Sequence, residues 1–203
     1  FGDFDSGSGL PISPLENVAG IGSGITKGRK LNGRPVEDTP YLRVANVQDG
    51  FLNLTEIKTI PATNEDRIRY RLQPGDLVMT EGGDPDKLGR AAIWGGEVAD
   101  CLHQNHVFRV RPSRKIVLPD YLAAVIGSSY GKAYFLRVAK RTTGIASINR
   151  TQLGAFPVPV PPLNLQNAFA ARLADLRSII AQQERSLAAA RELERSLMAR
   201  LLG

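Results

Sequence analysis

The chain is poor in the residues that usually build metal centres and covalent cross-links. Among 203 residues it has one cysteine, Cys101, and two histidines. A single cysteine excludes an internal disulfide and a cysteine-rich zinc module, so the composition favours a reducing compartment, the cytoplasm. Cys101, His103 and His106 lie close in sequence, but no fourth ligand is evident, and in a strand His106 would face away from the other two. We therefore predict no metal and no cofactor.

Long apolar runs are also lacking. No stretch approaches the roughly 18 to 20 apolar residues that a membrane span needs, and no signal peptide is visible, so we expect no membrane partner. The chain starts without Met, as FGDFDSGSGLPISPLE. We expect residues 1–13 to be a linker or a disordered start. The 42% of hydrophobic residues are nevertheless enough for a real core.

Acidic residues are missing from one long interval. The net charge is +6 and the isoelectric point is near 9.7. Between Asp120 and Asp175 there is no acidic side chain. The cations of that interval are Lys132, Arg137, Lys140, Arg141, Arg150 and Arg172. Unneutralised cations at this density are a candidate footprint for nucleic acid.

Short segments punctuated by glycine, proline, asparagine and aspartate run from Pro14 to Pro112 and predict strands. Among them RIRYRL, residues 67–72, alternates arginine with apolar residues, as a strand with one basic face would. Residues 118–140 have helical spacing, with Pro119 suited to a first turn and glycines 127 and 131 weakening the middle. We predict one mixed α/β domain over residues 14–156.

Glycine and proline are both missing from residues 163–202, which follow a proline-rich junction at 157–162. Each proline fixes φ and biases its predecessor to extended geometry, so the junction should be stiff. The remaining residues, 163–203, predict a long helix of strong helix formers. Its apolar seam has the 4-3 spacing of a coiled coil and comprises Phe169, Leu173, Leu176, Ile180, Leu187, Leu197 and Leu201. A helix that extends beyond its domain cannot bury such a seam alone, so we expect it to pair with another helix.

In the order of these segments the chain resembles the specificity (S) subunit of type I restriction-modification systems. It resembles one half of such a subunit, with one recognition domain and one helix. The segments that carry the resemblance are VAGIGSGITKG, YLRVANVQDG, LQPGDLVMTEGGDPDKLGRAAIW, CLHQNHVFRVRP and TGIASINRTQLGAFPVPVPPLNLQNAF. The last segment resembles the family's passage from a small polar turn, through prolines, into a coiled-coil helix. Here Asn164 and Leu165 precede Gln166, where an acidic residue often stands in the family.

The resemblance implies a subunit that does no chemistry. It would read double-stranded DNA and hold methyltransferase (M) subunits through its helices, and through them a restriction (R) subunit. A complete member carries two recognition domains separated by two antiparallel helices, which act as a ruler between the parts of a split target. This chain carries one of each. Two copies pairing their helices antiparallel would form a homodimer that reads a palindromic split sequence.

Two basic groups are the candidate phosphate contacts. The first, Lys27, Arg29, Lys30 and Arg34, lies in a glycine-rich loop that fits neither G-x-G-x-x-G nor the Walker pattern, so we do not interpret it as a nucleotide loop. The second, Lys140, Arg141, Thr142 and Thr143, belongs to the acid-free interval. Lysine and arginine on mobile loops contact DNA phosphates, although plain solvated charge explains the first group equally well.

Base reading needs arginine or lysine for guanine, asparagine or glutamine for adenine, and acids for cytosine. The residues at loops or strand ends that carry such groups are Asn46, Gln48, Glu81, Asp84, Lys87, Arg90, Gln104 and Asn105. We interpret His103 as a DNA-proximal or structural residue. Each of these side chains has a competing interpretation as an ordinary surface or turn residue.

Two other functions stay open on the sequence alone. The chain could be the recognition fragment of a fused type II restriction-methyltransferase enzyme, although it has no Asn-Pro-Pro-Tyr-like motif, cofactor-binding glycine fingerprint or nuclease cluster of carboxylates and lysine. It could also be a coiled-coil scaffold whose basic residues only solubilise it. Sequence-selective DNA binding separates recognition from the scaffold, and methyl transfer by the isolated chain would favour the enzyme.

Overall fold

The computed structural model describes residues 9–31, 33–84 and 88–202, without the side chain of residue 202. The chain divides into two compact units between Leu163 and Asn164. The described strands are β1 (Ile12–Pro14), β2 (Ala19–Ser23), β3 (Glu37–Leu42), β4 (Lys58–Ala62), β5 (Leu77–Thr80), β6 (Gly82–Gly83), β7 (Ala91–Ile93), β8 (Leu102–His103), β9 (Val107–Pro112), β10 (Lys140–Thr142), β11 (Ile145–Ser147) and β12 (Pro157–Pro159). The helices are α1 (Leu15–Val18), α2 (Asn64–Tyr70), α3 (Pro119–Gly127), α4 (Ser129–Val138), α5 (Arg150–Gly154) and α6 (Leu163–Leu202).

A four-stranded antiparallel sheet of order β2-β9-β5-β7 lies at the centre of the first unit. All four residues of β5 are buried, as expected for a strand covered on both faces. Near its start, buried Asp76 accepts two hydrogen bonds of 2.7 Å from the Arg111 guanidinium of β9. This paired charge ties the two central strands together, because an unpaired carboxylate would be costly at that depth.

A second sheet has the order β4-β3-β8, in which β3 runs antiparallel to β4 and parallel to β8. Together with the four-stranded sheet and the helices it makes the mixed α/β domain that the sequence predicted. The turn after β8 leads directly into β9, so both sheets meet the same short segment, residues 104–106.

The predicted basic strand at residues 67–72 is wrong, because most of it belongs to helix α2. Thr63 caps that helix: its hydroxyl accepts from the Asp66 amide at 3.3 Å, and the Asp66 carboxylate accepts from the Thr63 amide at 2.8 Å. This capping box outweighs the alternating pattern. Arg67 pairs with Glu37 and Arg71 pairs with Asp100, so these arginines do not form one basic face.

The helical segment after β9 is two helices rather than one. Pro119 occupies the first turn of α3, as predicted. Ser128 then separates α3 from α4 and caps α4 by accepting from the Gly131 amide at 3.3 Å. A Cβ at Gly131 would lie 2.2 Å from the Ile126 carbonyl oxygen, so glycine allows the two helices to turn this closely.

The proline segment is a strand of the first unit. β12 pairs antiparallel with β1, with Pro14 opposite Pro157 and Ile12 opposite Pro159. The hydroxyl groups of Tyr121 and Tyr130 donate to carbonyl groups of this strand. The expected linker at residues 1–13 is therefore wrong for residues 12 and 13, because β12 supplies hydrogen-bond partners for them.

The second unit is formed by α6, whose 40 residues confirm the predicted long helix. It begins directly after the last proline of the chain, and at 1.5 Å per residue it is about 60 Å long. Among the residues that the structure describes, no helix is both long enough and apolar enough to cross a membrane.

Candidate nucleic-acid interface

The second basic group forms an exposed β-hairpin. Strands β10 and β11 pair from Lys140–Ser147 to Thr142–Ile145, which leaves Thr143 and Gly144 as the two-residue turn. Gly144 has a φ of 79°, a conformation that glycine adopts without strain. The four predicted residues from Lys140 to Thr143 are all exposed. The hairpin, residues 140–147, therefore carries exposed cations on paired strands.

A third strand, which belongs to the glycine-rich segment EGGDPDKL (residues 81–88), pairs with the hairpin. β6 pairs with β11, so that Gly82 lies opposite Ser147 and Gly83 opposite Ala146. A Cβ at Gly82 would lie 2.8 Å from the Ala146 carbonyl oxygen. Glycine is therefore needed for this close approach. Lys87, the predicted contact further along the loop, lies outside the described residues.

The turn between β8 and β9 joins the same region through Glu81. The Glu81 amide donates to the His106 carbonyl at 3.0 Å, and the Glu81 carbonyl accepts from the Ile148 amide at 2.9 Å. Gln104 and Asn105 of this turn are half-buried, so part of each side chain is available to a ligand. Glu81 thus links the hairpin to the turn that carries two of the predicted base-reading residues.

Arg90 and Gln48 are brought together although 42 residues separate them. The Arg90 guanidinium donates to the Gln48 side-chain oxygen at 3.0 Å, while the Gln48 amide nitrogen donates to the Ala45 carbonyl at 2.9 Å. The Arg90 carbonyl also accepts from the Thr80 amide. Arg90 and Glu81 therefore both lie at the C-terminal end of β5. We name the set of the hairpin, Glu81, Arg90, Gln48 and the turn 104–106 the polar edge.

Two predicted residues, Asn46 and His103, are buried and lie away from solvent. The Asn46 amide nitrogen donates to the carbonyl oxygens of Asn53 and Glu56, and its oxygen accepts from the Arg43 amide. His103 is fully buried and its Nδ1 lies 2.6 Å from the Val107 carbonyl oxygen. Burial lowers the pKa of His103 to about 4, so the ring is neutral near pH 7 and its Nδ1 donates the hydrogen bond.

The first basic group is divided by the structure. Both terminal nitrogens of the Arg29 guanidinium pair with the carboxylate of Asp66, which completes the capping box of α2 with Thr63. Burial raises the pKa of Asp66, but the hydrogen bonds from Arg29 and Thr63 outweigh it and hold that pKa below its ordinary value. Lys27, Lys30 and Arg34 are exposed. Arg29 therefore anchors the loop, and the other three cations are the ones presented to solvent.

The Cys-His segment does not assemble a metal centre. Cys101 is buried, and burial raises the pKa of its thiol to about 12, which disfavours the thiolate that binds metals. His103 is occupied by Val107, and His106 pairs with Glu81. Across residues 9–31, 33–84 and 88–202, no three His, Cys, Asp or Glu side chains are grouped closely enough to hold a metal ion.

Two contacts were missed in the sequence, one within the polar edge and one outside it. His106 was considered only as a metal ligand, yet it occupies a turn and contacts Glu81. Lys132 was counted as an unneutralised cation, but Asp49 pairs with it at 2.7 Å from 83 positions away. No local pattern signals either contact, because both depend on how distant loops meet.

The predicted seam of α6 is largely exposed in the single chain. Phe169 and Leu173, near the start of the helix, are half-buried. Further along, the exposed fractions are 57% for Leu176, 54% for Ile180, 52% for Leu187, 49% for Leu197 and 78% for Leu201. A stripe of this length with this exposure is typical of a surface that a second helix covers.

Comparison with known families matches most of the chain to one model. Residues 12–189 match the family described as the type I restriction modification DNA specificity domain. The match begins at β1 and ends within α6, so it includes the polar edge and more than half of the long helix. It confirms the resemblance seen in the sequence.

Two curated proteins are similar over most of this chain. A protein described as a type I restriction enzyme MjaX specificity subunit, from Methanocaldococcus jannaschii, is 27% identical over 163 residues, which are 80% of this chain and 38% of that protein. The type I restriction enzyme EcoKI specificity subunit of Escherichia coli K12 is 25% identical over 170 residues, 79% of this chain and 36% of that protein. The chain thus spans well under half the length of these relatives.

Solved structures share the fold. The crystal structure of the HsdS subunit from Thermoanaerobacter tengcongensis superposes with a TM-score of 0.57 and 18% identity, covering 92% of this chain and 42% of that one. A structure concerned with complex assembly and conformational transition of the type I R-M system gives a TM-score of 0.62, also at 18% identity, and covers 94% and 45% of the two chains. The mixed α/β domain followed by a long helix is therefore a known architecture.

Proposed function

The chain belongs to the family of type I restriction modification DNA specificity domains, and we propose that it is a non-catalytic recognition component that reads one half of a split DNA target. The observation that carries this proposal is the polar edge, where an exposed basic hairpin lies beside arginine and amide side chains. Cations that position a protein on phosphates and polar groups that read bases are the two parts that sequence-specific binding needs.

The hairpin supplies the phosphate contacts in this proposal. Lys140 and Arg141 lie on β10, which is paired with β11 along the whole hairpin. The Arg141 guanidinium also donates to the Leu136 carbonyl at 2.8 Å. Both cations are thus attached to a fixed framework rather than to a free loop. Lys27, Lys30 and Arg34 of the first basic group provide further cations for the DNA backbone.

Arg90, Gln104 and Asn105 are the proposed base-reading side chains. Arginine suits guanine because its fork matches the O6 and N7 acceptors, and amides suit adenine. Gln48 acts by positioning Arg90, since both ends of its amide are engaged by Arg90 and Ala45. Asn46 and His103 stay outside the proposed contact set because both are buried.

The helix α6 is the proposed assembly surface. Two copies would pair their exposed seams antiparallel and so present two recognition domains related by a twofold axis. A homodimer of this kind would supply the second half-site. Methyltransferase subunits would dock on the paired helices, and a restriction subunit would join the complex through them. Assembly would take place in the cytoplasm, a reducing compartment that suits the free thiol of Cys101.

The molar mass of the purified chain, measured by light scattering alone and with its cognate methyltransferase subunit, tests the assembly. We expect twice the chain mass alone and a larger complex that keeps two copies of the chain. A monomer under both conditions would contradict the paired arrangement. Catalysis is not expected of the chain in either state, and methyl transfer by the chain alone would favour a fused enzyme instead.

A further inference from the structure

Three side chains of the polar edge form a continuous hydrogen-bonded chain at the surface. The Glu81 carboxylate oxygen Oε2 lies 2.7 Å from Nδ1 of His106, and Nε2 of the same ring lies 3.3 Å from Nδ2 of Asn105. The Glu81 and His106 side chains are 33% and 58% exposed. This series of hydrogen bonds therefore ends at the half-buried amide of Asn105, beside the basic hairpin.

The partners determine which ring nitrogen of His106 carries its hydrogen. An ionised carboxylate only accepts, so Nδ1 must be the donor toward Glu81. The amide nitrogen of Asn105 only donates, so Nε2 must be the acceptor. Both contacts are satisfied together by the neutral ring with its hydrogen on Nδ1.

We propose, building on the proposed DNA-reading function, that His106 is a positioning residue that orients Asn105 to read adenine. One N–H of the Asn105 amide is directed to His106, which leaves the amide oxygen and the second N–H on the opposite edge. Those two groups match the N6 donor and N7 acceptor that adenine presents in the major groove. Glu81 fixes the ring by holding Nδ1, so the specificity of Asn105 depends on two residues that need not touch a base.

Two substitutions separate the two contacts of the ring. His106→Asn places an amide nitrogen near the position of Nδ1, so it keeps the donor to Glu81 and loses the acceptor for Asn105. His106→Gln reaches the position of Nε2 with its oxygen and keeps that acceptor. Because His106 is exposed, both variants should fold, which thermal unfolding checks.

The measurement starts from the target sequence that the wild-type chain selects from a random duplex library. It is the affinity of each variant for duplexes in which each position of that target carries, in turn, each of the four base pairs. We expect Asn105→Ala and His106→Asn to lose about tenfold of the preference for adenine at one position, and His106→Gln to retain most of it. Affinity for an unrelated duplex at low salt should stay unchanged in the two His106 variants.

The outcomes distinguish this inference from the function on which it rests. If the wild-type chain shows no sequence-selective binding, both fail. If it binds selectively and His106→Asn keeps every preference, only the positioning role fails. Nitrogen-15 NMR of the two histidines gives a test without DNA: we expect His106 to carry its hydrogen on Nδ1 at pH 8, and a hydrogen on Nε2 would overturn the assignment.

Discussion

At the residue scale, the buried ring of His103 couples protonation to folding. It donates from Nδ1 to the Val107 carbonyl and lies edge-on to Tyr70 at 6.4 Å between ring centroids. Burial lowers its pKa to about 4, whereas a histidine in the unfolded chain titrates near 6.5. The unfolded chain therefore binds more protons between these values. Stability should fall as pH drops from 6.5 and level off below about 4.

We expect His103→Asn to remove this part of the pH dependence. Asparagine keeps a donor for the Val107 carbonyl but does not titrate. The free energy of unfolding of the wild type should lose roughly 3 kcal/mol more than that of the variant between pH 6.5 and pH 4. Urea denaturation at several pH values measures the difference. Equal losses in both proteins would show that the ring takes up its proton without unfolding.

The cations of the hairpin should act on all DNA sequences alike. Lys140→Ala with Arg141→Ala removes two phosphate contacts, so the slope of log affinity against log salt should fall in magnitude by about two. Arg114→Ala with Lys115→Ala is the matched control, since it removes the same charge past the far end of β9. A gel-shift or fluorescence titration over a salt series provides the measurement. An unchanged slope in the hairpin variant would remove Lys140 and Arg141 from the DNA contacts.

Residue types predicted which side chains could read bases, but the sequence did not reveal which ones the fold leaves exposed. Asn46 and Asn105 are chemically identical, yet the first is enclosed by three backbone hydrogen bonds and the second lies at a surface turn. Arg29 and Lys30 are neighbours, yet Asp66 engages only the first. The Arg29 contact spans 37 positions, and the partners of the Asn46 side chain lie 3, 7 and 10 positions away. Neither set of contacts follows from the residue type alone.

At the element scale, the hairpin depends on a single glycine of its neighbouring strand. Gly82→Ala would place a Cβ 2.8 Å from the Ala146 carbonyl oxygen, so β11 must move or the pairing must break. Overpacking of this kind costs about 1 to 3 kcal/mol. We expect lower DNA affinity in this variant because the hairpin is displaced. Gly20→Ala is the matched strand control, since its nearest neighbour would be 4.0 Å away.

Both thermal unfolding and DNA affinity should be measured for the two glycine variants. Gly82→Ala should lower both the unfolding temperature and the affinity, whereas Gly20→Ala should change neither substantially. If Gly82→Ala binds DNA as well as the wild type, the position of the hairpin does not matter for binding. Circular dichroism confirms that each variant keeps its secondary structure.

The seam of α6 should govern pairing and leave the first unit intact. Leu176→Glu with Leu187→Glu places two charges in the proposed interface, where burial would be costly. Ser178→Glu with Ala189→Glu adds the same charges about 200° around the helix. We expect light scattering to find monomers for the leucine variant and dimers for the control. Dimers in both would mean that assembly uses another surface.

Elements with a strong local signal were predicted from the sequence, and elements with competing signals were not. Forty residues without glycine or proline predicted α6, and Pro119 marked the start of α3. The alternation at residues 67–72 favoured a strand, but the Thr63–Asp66 capping box just before it formed a helix. The pairing of β1 with β12 joins segments almost 150 residues apart, so no window of the sequence contained it.

At the scale of the whole molecule, charge and symmetry decide what the chain can do. A net charge of +6 favours association with DNA, and the polar edge concentrates cations beside base-reading groups. In the proposed function, one recognition domain contacts only one short half-site. Twofold pairing through α6 would add the second half-site in inverted orientation, so the two half-sites should be identical and separated by a fixed spacer.

Selection of bound sequences from a random duplex library by the purified chain, together with its cognate methyltransferase subunit, tests this account most directly. The account predicts enrichment of one short sequence and its inverted copy at a constant separation. The Leu176→Glu/Leu187→Glu variant should enrich single half-sites weakly, without that separation. Recovery of unrelated sequences by the wild type, with no shared half-site, would contradict the central claim that this chain reads DNA.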